Sequence, residues 1–151
     1  MSVYDKLNQL GIALPPVAVP AAAYVPFVQT GNLVFISGQI SADDNGLITG
    51  KLGDTTSLED GAAAARRCGL ALIAQLKAAI GNLDRVTRVV KLTGFVNSTP
   101  DFTDQPKVIN GCSDLMVEVF GEAGRHSRAA VSAPSLPFGV AVEIEAVFEV
   151  R

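Results

Sequence analysis

Two charged residues near the end of the sequence could do chemistry together. Arg128 begins a β-rich segment, and Glu143 lies on the acidic side of the last one. An arginine fork binds a carboxylate through two parallel hydrogen bonds, and a glutamate can orient or deprotonate a water molecule. From spacing alone, a structural salt bridge or two separate exposed charges explain the pair at least as well, so these interpretations stay open.

Other common catalytic motifs are missing from the sequence. There is no glycine-rich nucleotide loop, no HExxH metal motif and no Gly-x-Ser-x-Gly nucleophile elbow. The single histidine, His126, lies in a polar loop before a strand, where a solvated or structural histidine and an acid/base residue are both possible. Metal-dependent hydrolysis and catalytic-triad chemistry therefore lose support.

The two cysteines, Cys68 and Cys112, each fall inside a helical pattern, far in sequence from any second thiol or histidine. Free cysteines are among the most frequently buried residues in proteins. We therefore expect two buried core thiols, and neither a disulfide framework nor a metal site.

Length and composition suit one domain over residues 1–151, with residues 1–20 as an N-terminal arm. A short helix is predicted over residues 3–10, and Pro15, Pro16 and Pro20 require an extended segment after it.

The chain has 12 basic and 15 acidic residues and no basic run, which disfavours nucleic acid as a partner. Because no signal peptide or apolar span is evident, we expect a cytoplasmic protein without membrane contact.

Two long helices are predicted from capping residues and apolar stripes. Ser57 starts the first, over residues 58–80, and Gly81 ends it; Asp104 and Pro106 open the second, which ends at Gly121. The stripes consist of Ala65, Cys68, Gly69, Leu72, Leu76 and Ile80 in the first helix, and Val108, Ile109, Cys112, Leu115, Met116, Val119 and Phe120 in the second.

The strands are predicted from β-branched runs and turn signals. Residues 25–37 form a hairpin around the turn 30–32, and a short edge strand follows a second turn, over residues 47–51. A central strand covers residues 87–97, with a possible bulge at Gly94. Two final strands cover residues 127–132 and 140–150, and the last alternates between an apolar side and an acidic side.

This order of elements predicts an α+β fold in which two main helices cover one face of a mixed sheet. The other face carries glutamates together with Phe35, Phe95 and several valines. A face of this mixed character suggests burial against other copies of the chain.

Three blocks of sequence resemble one known family. Residues 31–40, with their Ser-Gly-Gln element, resemble its early strand signature, and residues 81–86 and 95–97 match its middle. The most specific block is Arg128-Ala-Ala-Val, followed by Leu136-Pro137 and residues 142–146. Over residues 20–150 the chain is thus similar to the RidA/YjgF/UK114 family, also labelled endoribonuclease L-PSP. A longer stretch between Phe102 and Arg128 resembles a distinct subgroup.

The resemblance implies a chorismate-mutase-like fold, a homotrimer with a barrel-like core, and ligand clefts between subunits. It also implies hydrolysis of reactive 2-imino or enamine acids, such as 2-iminopropanoate, to 2-oxo acids and ammonia, without cofactor or metal. By position, Arg128 matches the arginine that holds the substrate carboxylate and Glu143 the glutamate near the attacking water. The other matched pocket positions are Tyr24, Ser37, Asn110 and the backbone at Ala130.

Two other functions remain open at this point. The same cleft could belong to a non-catalytic trimer that binds a small carboxylate such as a 2-oxo acid. An endoribonuclease is the third hypothesis, which the acidic charge balance and the lone histidine disfavour. A structural role also remains an alternative for each matched residue.

Overall fold

A computed structural model of the chain describes residues 1–17 and 22–151. The main sheet has five strands in the order β1-β2-β7-β5-β6. Its strands are β1 (Phe27–Thr30), β2 (Leu33–Ile40), β5 (Val86–Asn97), β6 (Ser127–Ala133) and β7 (Val142–Val150). Only the pairing of β5 with β6 is parallel, so the sheet is mixed as predicted.

Within the described residues, three α-helices accompany the sheet: α1 (Val3–Gln9), α2 (Leu58–Ile80) and α3 (Gln105–Phe120). The Ser57 hydroxyl caps α2 by accepting a hydrogen bond from the amide of Asp60, as the sequence predicts. Gly81 ends α2 with a φ of 80°, which glycine adopts without strain. Both long helices pack on the same face of the sheet and against each other.

The hydrophobic core lies between this helical layer and the sheet. All six predicted stripe residues of α2 are buried, as are those of α3 except the half-buried Phe120. The sheet contributes the alternate side chains of β7, which confirms the two-sided pattern read from its sequence. These residues are Val142, Ile144, Ala146, Phe148 and Val150.

Both cysteines are free and buried in this core, as expected. Burial raises the pKa of the Cys112 thiol to about 12, against a smaller opposing effect of Arg128. Burial likewise raises the pKa of Cys68 well above its usual range. Neither thiol is set up to react as a thiolate at neutral pH.

Two local predictions are wrong. The segment after the second turn does not form an edge strand over residues 47–51; Gly46–Leu47 (β4) instead pairs with Ala42–Asp43 (β3) in a separate small hairpin. The register shifts of β5 lie between Val86 and Lys91, not at Gly94. Position 94 has no room for a side chain, because Ile109 of α3 packs onto Gly94 and its Cδ1 lies 2.5 Å from where a Cβ would be.

The N-terminal arm is described in part. The predicted helix is present as α1, and Tyr4 of α1 accepts a hydrogen bond from the amide of Leu83 through its hydroxyl. Pro20 lies outside the described residues. Among the described residues, no helix is both long and apolar enough to cross a membrane.

Candidate functional site

Three of the predicted site residues line one cavity of about 1160 Å³. Tyr24, Ser37 and Glu143 meet there, although they come from the segment before β1, the middle of β2 and the start of β7. The cavity is open to solvent and is also bounded by α2 and by the turn at Pro137–Gly139. Three of the six candidate residues therefore line a single concave surface.

A bulge in β2 shapes the floor of this cavity. The register of β2 against β7 shifts between Ile36 and Gln39, so that two residues, Ser37 and Gly38, lie between regularly paired positions. The Ser37 hydroxyl donates to the carbonyl of Val25 at 2.7 Å, which ties β2 to the segment that carries Tyr24. The structural role considered for Ser37 is thus present, within the cavity wall.

Gly38 makes room for the Glu143 carboxylate. A Cβ at position 38 would lie 2.4 Å from Oε2 of Glu143, closer than side-chain atoms approach one another. Among the described residues, no group donates a hydrogen bond to the Glu143 carboxylate. This oxygen pair is therefore available to a ligand or to water.

The environment of Glu143 favours its protonated form more than bulk water does. Burial, and secondly the negative charge of Glu145, raises the pKa of the Glu143 carboxyl above its ordinary value. Asp43 and Asp44 add two further carboxylates to the cavity wall, against the single guanidinium of Arg67. A cavity with this charge balance suits a ligand whose buried end is cationic.

Arg67 and Phe138 complete the cavity wall. Arg67 donates from Nε to the carbonyl of Ala42 at 2.9 Å, and its Nη2 lies 3.9 Å from a fully exposed carboxylate oxygen of Asp44. Phe138 has a left-handed backbone, with a φ of 58°, and its side chain is 79% exposed. Non-glycine residues adopt this conformation rarely, and it places an aromatic ring at the rim of the cavity.

Arg128 lies elsewhere, on the edge strand β6, with its side chain against α3. Its Nη1 donates to Oδ1 of Asn110 at 2.8 Å and to the hydroxyl of Ser113 at 3.1 Å, and its Nη2 donates to the carbonyl of Pro106 at 3.3 Å. The structure thus brings together Arg128 and Asn110, two residues predicted for the same pocket. An Arg128–Glu143 salt bridge within the chain is absent from the described residues.

The guanidinium of Arg128 keeps part of its binding capacity. It has five N–H donors, of which three are engaged by α3. The two others, one on Nε and one on Nη2, have no acceptor among the described residues. Nε and Nη2 share one edge of the guanidinium plane, and such an edge can bind a carboxylate through two hydrogen bonds.

Within one chain, Arg128 and Glu143 lie on opposite faces of the sheet. Arg128 pairs with the buried Leu92 and reaches the helical side, whereas Glu143 alternates with residues buried under the helices and points the other way. Ala130, the remaining predicted position, is half-buried and packs against the core on the side of Arg128. The six candidates therefore form two groups: Tyr24, Ser37 and Glu143 in the cavity, and Arg128, Asn110 and Ala130 at the β6 edge.

Sequence reasoning missed several residues of these two groups. Ser113 was not considered, and His126 was left without an assigned partner, yet Ser113 contacts both His126 and Arg128. The spacing from Asn110 to Ser113 is a signal that could have found it, since residues three apart share one helix face. Gly38 and Arg67 gave no comparable signal, because their roles depend on contacts between distant elements.

A family model described as "YjgF/chorismate mutase-like, putative endoribonuclease" matches residues 5–148 of the chain. Among curated proteins, Protein TCP17 of Trypanosoma cruzi is 51% identical over 151 residues, covering 99% of this chain and 94% of its own length.

Two solved structures have the same fold over almost the whole chain. A protein of unknown function from Agrobacterium tumefaciens is 43% identical with a TM-score of 0.91, and the alignment covers 99% of this chain and 94% of that one. A "putative endoribonuclease" from Shewanella oneidensis is 34% identical with a TM-score of 0.95, and the alignment covers 99% and 100%. The predicted fold class is confirmed by these matches.

Proposed function

We propose that this chain, which belongs to the YjgF/chorismate-mutase-like family, hydrolyses reactive 2-imino acids to 2-oxo acids and ammonia. The substrate class is a small 2-imino or enamine acid such as 2-iminopropanoate. The sites would lie between subunits of a homotrimer and would use no cofactor.

The observation that carries the proposal is the free edge of Arg128. Three of its N–H groups are held by α3, and the two that remain face no acceptor among the described residues. A planar fork fixed in this way suits the carboxylate of a 2-imino acid, and a lysine could not reproduce it.

The charge of the cavity supports the other half of the proposal. A 2-imino acid carries a carboxylate at one end and, when protonated, a cationic iminium carbon beside it. The carboxylates of Glu143, Glu145, Asp43 and Asp44 suit the cationic end, and the unpaired oxygens of Glu143 are free to hold a water molecule.

A site that uses both groups needs two chains, because Arg128 and Glu143 lie on opposite faces of their own sheet. Association is supported by the apolar residues on the face that the helices leave open. Val28, Phe35 and Val131 are 54%, 44% and 44% exposed there. We therefore propose that the Arg128 edge of one subunit meets the Glu143 cavity of the next in a homotrimer.

The reaction balances without an added reagent. Water attacks the iminium carbon while Glu143 takes one of its protons, which gives a 2-amino-2-hydroxy acid. The proton then passes to the amino group and the C–N bond breaks, so that ammonia leaves while the hydroxyl gives its proton to Glu143 and becomes the 2-oxo group. Glu143 then releases this proton to the solvent, which restores its ionised form. A protonated imine is already electrophilic, so the protein chiefly orients the carboxylate and places the water.

The test is ammonia release from 2-iminopropanoate generated in situ, measured for Arg128→Lys and Glu143→Gln beside the mass and melting temperature of each variant. We expect both variants to assemble as the wild type does. Glu143→Gln should lose at least about 100-fold in activity, the usual range for a lost acid/base group, and Arg128→Lys should lose activity because lysine cannot hold the carboxylate with a planar fork. A well-assembled Arg128→Lys protein with full activity would refute the proposed site. Pyruvate binding without ammonia release in the wild type would favour the non-catalytic carboxylate-binding alternative.

The acidic cavity weighs against an endoribonuclease, the activity in the name of the matching family. Four carboxylates line it against one arginine, and such a surface repels the phosphates of RNA. Strongly salt-dependent RNA binding would be the result that revives this alternative.

A further inference from the structure

A chain of hydrogen bonds runs from the backbone to the Arg128 guanidinium. The carbonyl of Gly124 contacts Nδ1 of His126 at 2.6 Å, Nε2 of His126 contacts the Ser113 hydroxyl at 2.9 Å, and that hydroxyl contacts Nη1 of Arg128 at 3.1 Å. This series of hydrogen bonds joins the turn after α3, the loop before β6, the middle of α3 and β6 itself. None of these contacts is used by the cavity that holds Glu143.

The chemistry of the four groups fixes the direction of each bond. A carbonyl oxygen only accepts, so Nδ1 of His126 carries the hydrogen that it donates to Gly124. In the neutral imidazole Nε2 then accepts, and the donor is the Ser113 hydroxyl. A guanidinium only donates, so Ser113 receives the Arg128 hydrogen on a lone pair while giving its own proton to His126.

The start of the chain is fixed by close packing. Gly124 is buried, and a Cβ on it would lie 2.2 Å from the carbonyl oxygen of Met116 in α3. Only a glycine therefore fits where this carbonyl is placed. The tautomer of His126 is set by rigid backbone, and His126 in turn sets the orientation of the Ser113 hydroxyl.

We propose that Ser113 and His126 are positioning residues for the carboxylate of the substrate: together they hold the Arg128 guanidinium so that its Nε and Nη2 edge faces the cleft. This inference rests on the proposed function. Arginine carries several rotatable bonds, and fixing it before the ligand arrives removes an ordering cost from binding. His126 acts only through Ser113, because its two ring nitrogens are both engaged within the chain of hydrogen bonds.

The first measurement is the nitrogen NMR spectrum of the imidazole. The chain contains one histidine, so the signals belong to His126 without further assignment. At pH 8.5 we expect a protonated Nδ1 and a hydrogen-bonded, unprotonated Nε2. Adding pyruvate, the 2-oxo acid product of the proposed reaction, should shift the Nε2 signal in the wild type and leave it unmoved in Arg128→Lys.

The second measurement is binding and kinetics in the assembled protein. Ser113→Ala should weaken pyruvate binding and raise KM about tenfold, the effect of one lost hydrogen bond to a charged group, while kcat changes less than twofold. His126→Ala should act in the same direction, and the double variant should be no worse than Ser113→Ala because the two residues act in series. Ser113→Thr, which keeps the hydroxyl, should restore binding.

The possible outcomes separate this inference from the proposed function. If the wild type is active and binds pyruvate but Ser113→Ala binds it within twofold of the wild type, the positioning role fails and the function stands. A protonated Nε2 in the wild type would also refute the role. If the wild type neither binds pyruvate nor releases ammonia, the proposed function fails, and the positioning of a substrate carboxylate fails with it.

Discussion

Glu143 is the residue whose chemistry depends most on its surroundings. Its side chain is half-buried, rests over Gly38 and shares the cavity with Glu145. Burial and the neighbouring negative charge both favour the protonated carboxyl, which raises its pKa. The folded chain therefore holds this proton more tightly than the unfolded chain does, and the contribution of Glu143 to stability falls as pH rises from its unfolded pKa through its folded pKa.

The negative charge of Glu145 should affect the pH dependence of activity, because it contributes to the raised pKa of Glu143. Removing water's proton requires the ionised form of Glu143, so activity should fall as pH drops through the raised pKa of this carboxyl. Glu145→Gln removes the like charge and lowers the pKa of Glu143. We expect the acidic limb of the kcat/KM profile for ammonia release to move to lower pH.

Glu149→Gln is the matched control for this shift. Glu149 lies on the same side of β7 but at its far end, where it accepts a hydrogen bond from the Thr87 hydroxyl at 2.7 Å. Its replacement should leave the pH profile in place. An acidic limb that does not move in Glu145→Gln, or that moves equally in the control, would contradict the role given to Glu143.

The face of the sheet on which Glu143 lies could be predicted from the sequence, whereas the face of Arg128 could not. β7 alternates between apolar residues and, at three of the four positions on the other side, glutamates, so the face of Glu143 follows from its neighbours. β6 consists mostly of small residues with no such contrast, and nothing local indicates which face Arg128 takes. That the two residues point to opposite faces follows only from the pairing of β6 and β7 with β5.

At the scale of elements, the sequence predicts correctly those helix ends and turns that depend only on residues close to them in the chain. The cap at Ser57, the stop at Gly81 and the turn between β1 and β2 all lie where the sequence predicts them, although the turn itself is the two residues Gly31 and Asn32 and not the predicted 30–32. The errors at Gly94 and over residues 47–51 share a different cause. Both depend on a partner from another part of the chain, Ile109 in the first case and Val140, which bridges to Thr49, in the second.

The close approach of α2 and α3 gives a prediction for stability. A Cβ at Gly111 would lie 2.0 Å from the backbone carbonyl oxygen of Ala62, which cannot move without shifting α2. Overpacking of this kind costs about 1–3 kcal/mol, more than the gain of about 1 kcal/mol in helix propensity from Gly to Ala. We expect Gly111→Ala to lower the free energy of unfolding, measured by denaturant titration.

Gly94→Ala is the matched comparison. Its new Cβ would also meet close neighbours, Cδ1 and Cγ1 of Ile109 at 2.5 and 2.7 Å, but these are side-chain atoms, which can shift without moving the backbone of a helix. The loss of stability should be smaller than in Gly111→Ala. Equal losses, or a stabilised Gly111→Ala protein, would show that the two helices are not held at the distance observed.

At the scale of the whole molecule, the sheet has one face covered and one face open. The helices bury the apolar side of β7, while the open side combines carboxylates with exposed Phe35 and Val131. An exposed apolar surface of this kind is typical of a contact between subunits. The same arrangement separates Arg128 from Glu143 within each chain, so assembly and activity are expected to depend on each other.

Phe35→Glu tests this dependence. Phe35 lies on the open face, opposite Val28 and Val147 in the neighbouring strands, and makes no part of the cavity lining or of the Arg128 contacts. A buried carboxylate without a partner is costly, so we expect the variant to remain folded as a monomer at micromolar concentration by light scattering. Activity should then fall at least tenfold, because the two halves of the site no longer meet.

Val117→Glu provides the control on the opposite side of the molecule. Val117 is an exposed apolar residue of α3, away from the open sheet face, so a new charge there should alter neither the mass nor the activity. A fully active Phe35→Glu monomer would mean that one chain holds a complete site, and the division of Arg128 and Glu143 between subunits would be wrong. If instead the activity of Phe35→Glu returns when rising protein concentration restores the trimer, catalysis depends on the contact between open faces. Only assembly could then bring a carboxylate held by Arg128 within reach of a water molecule held by Glu143.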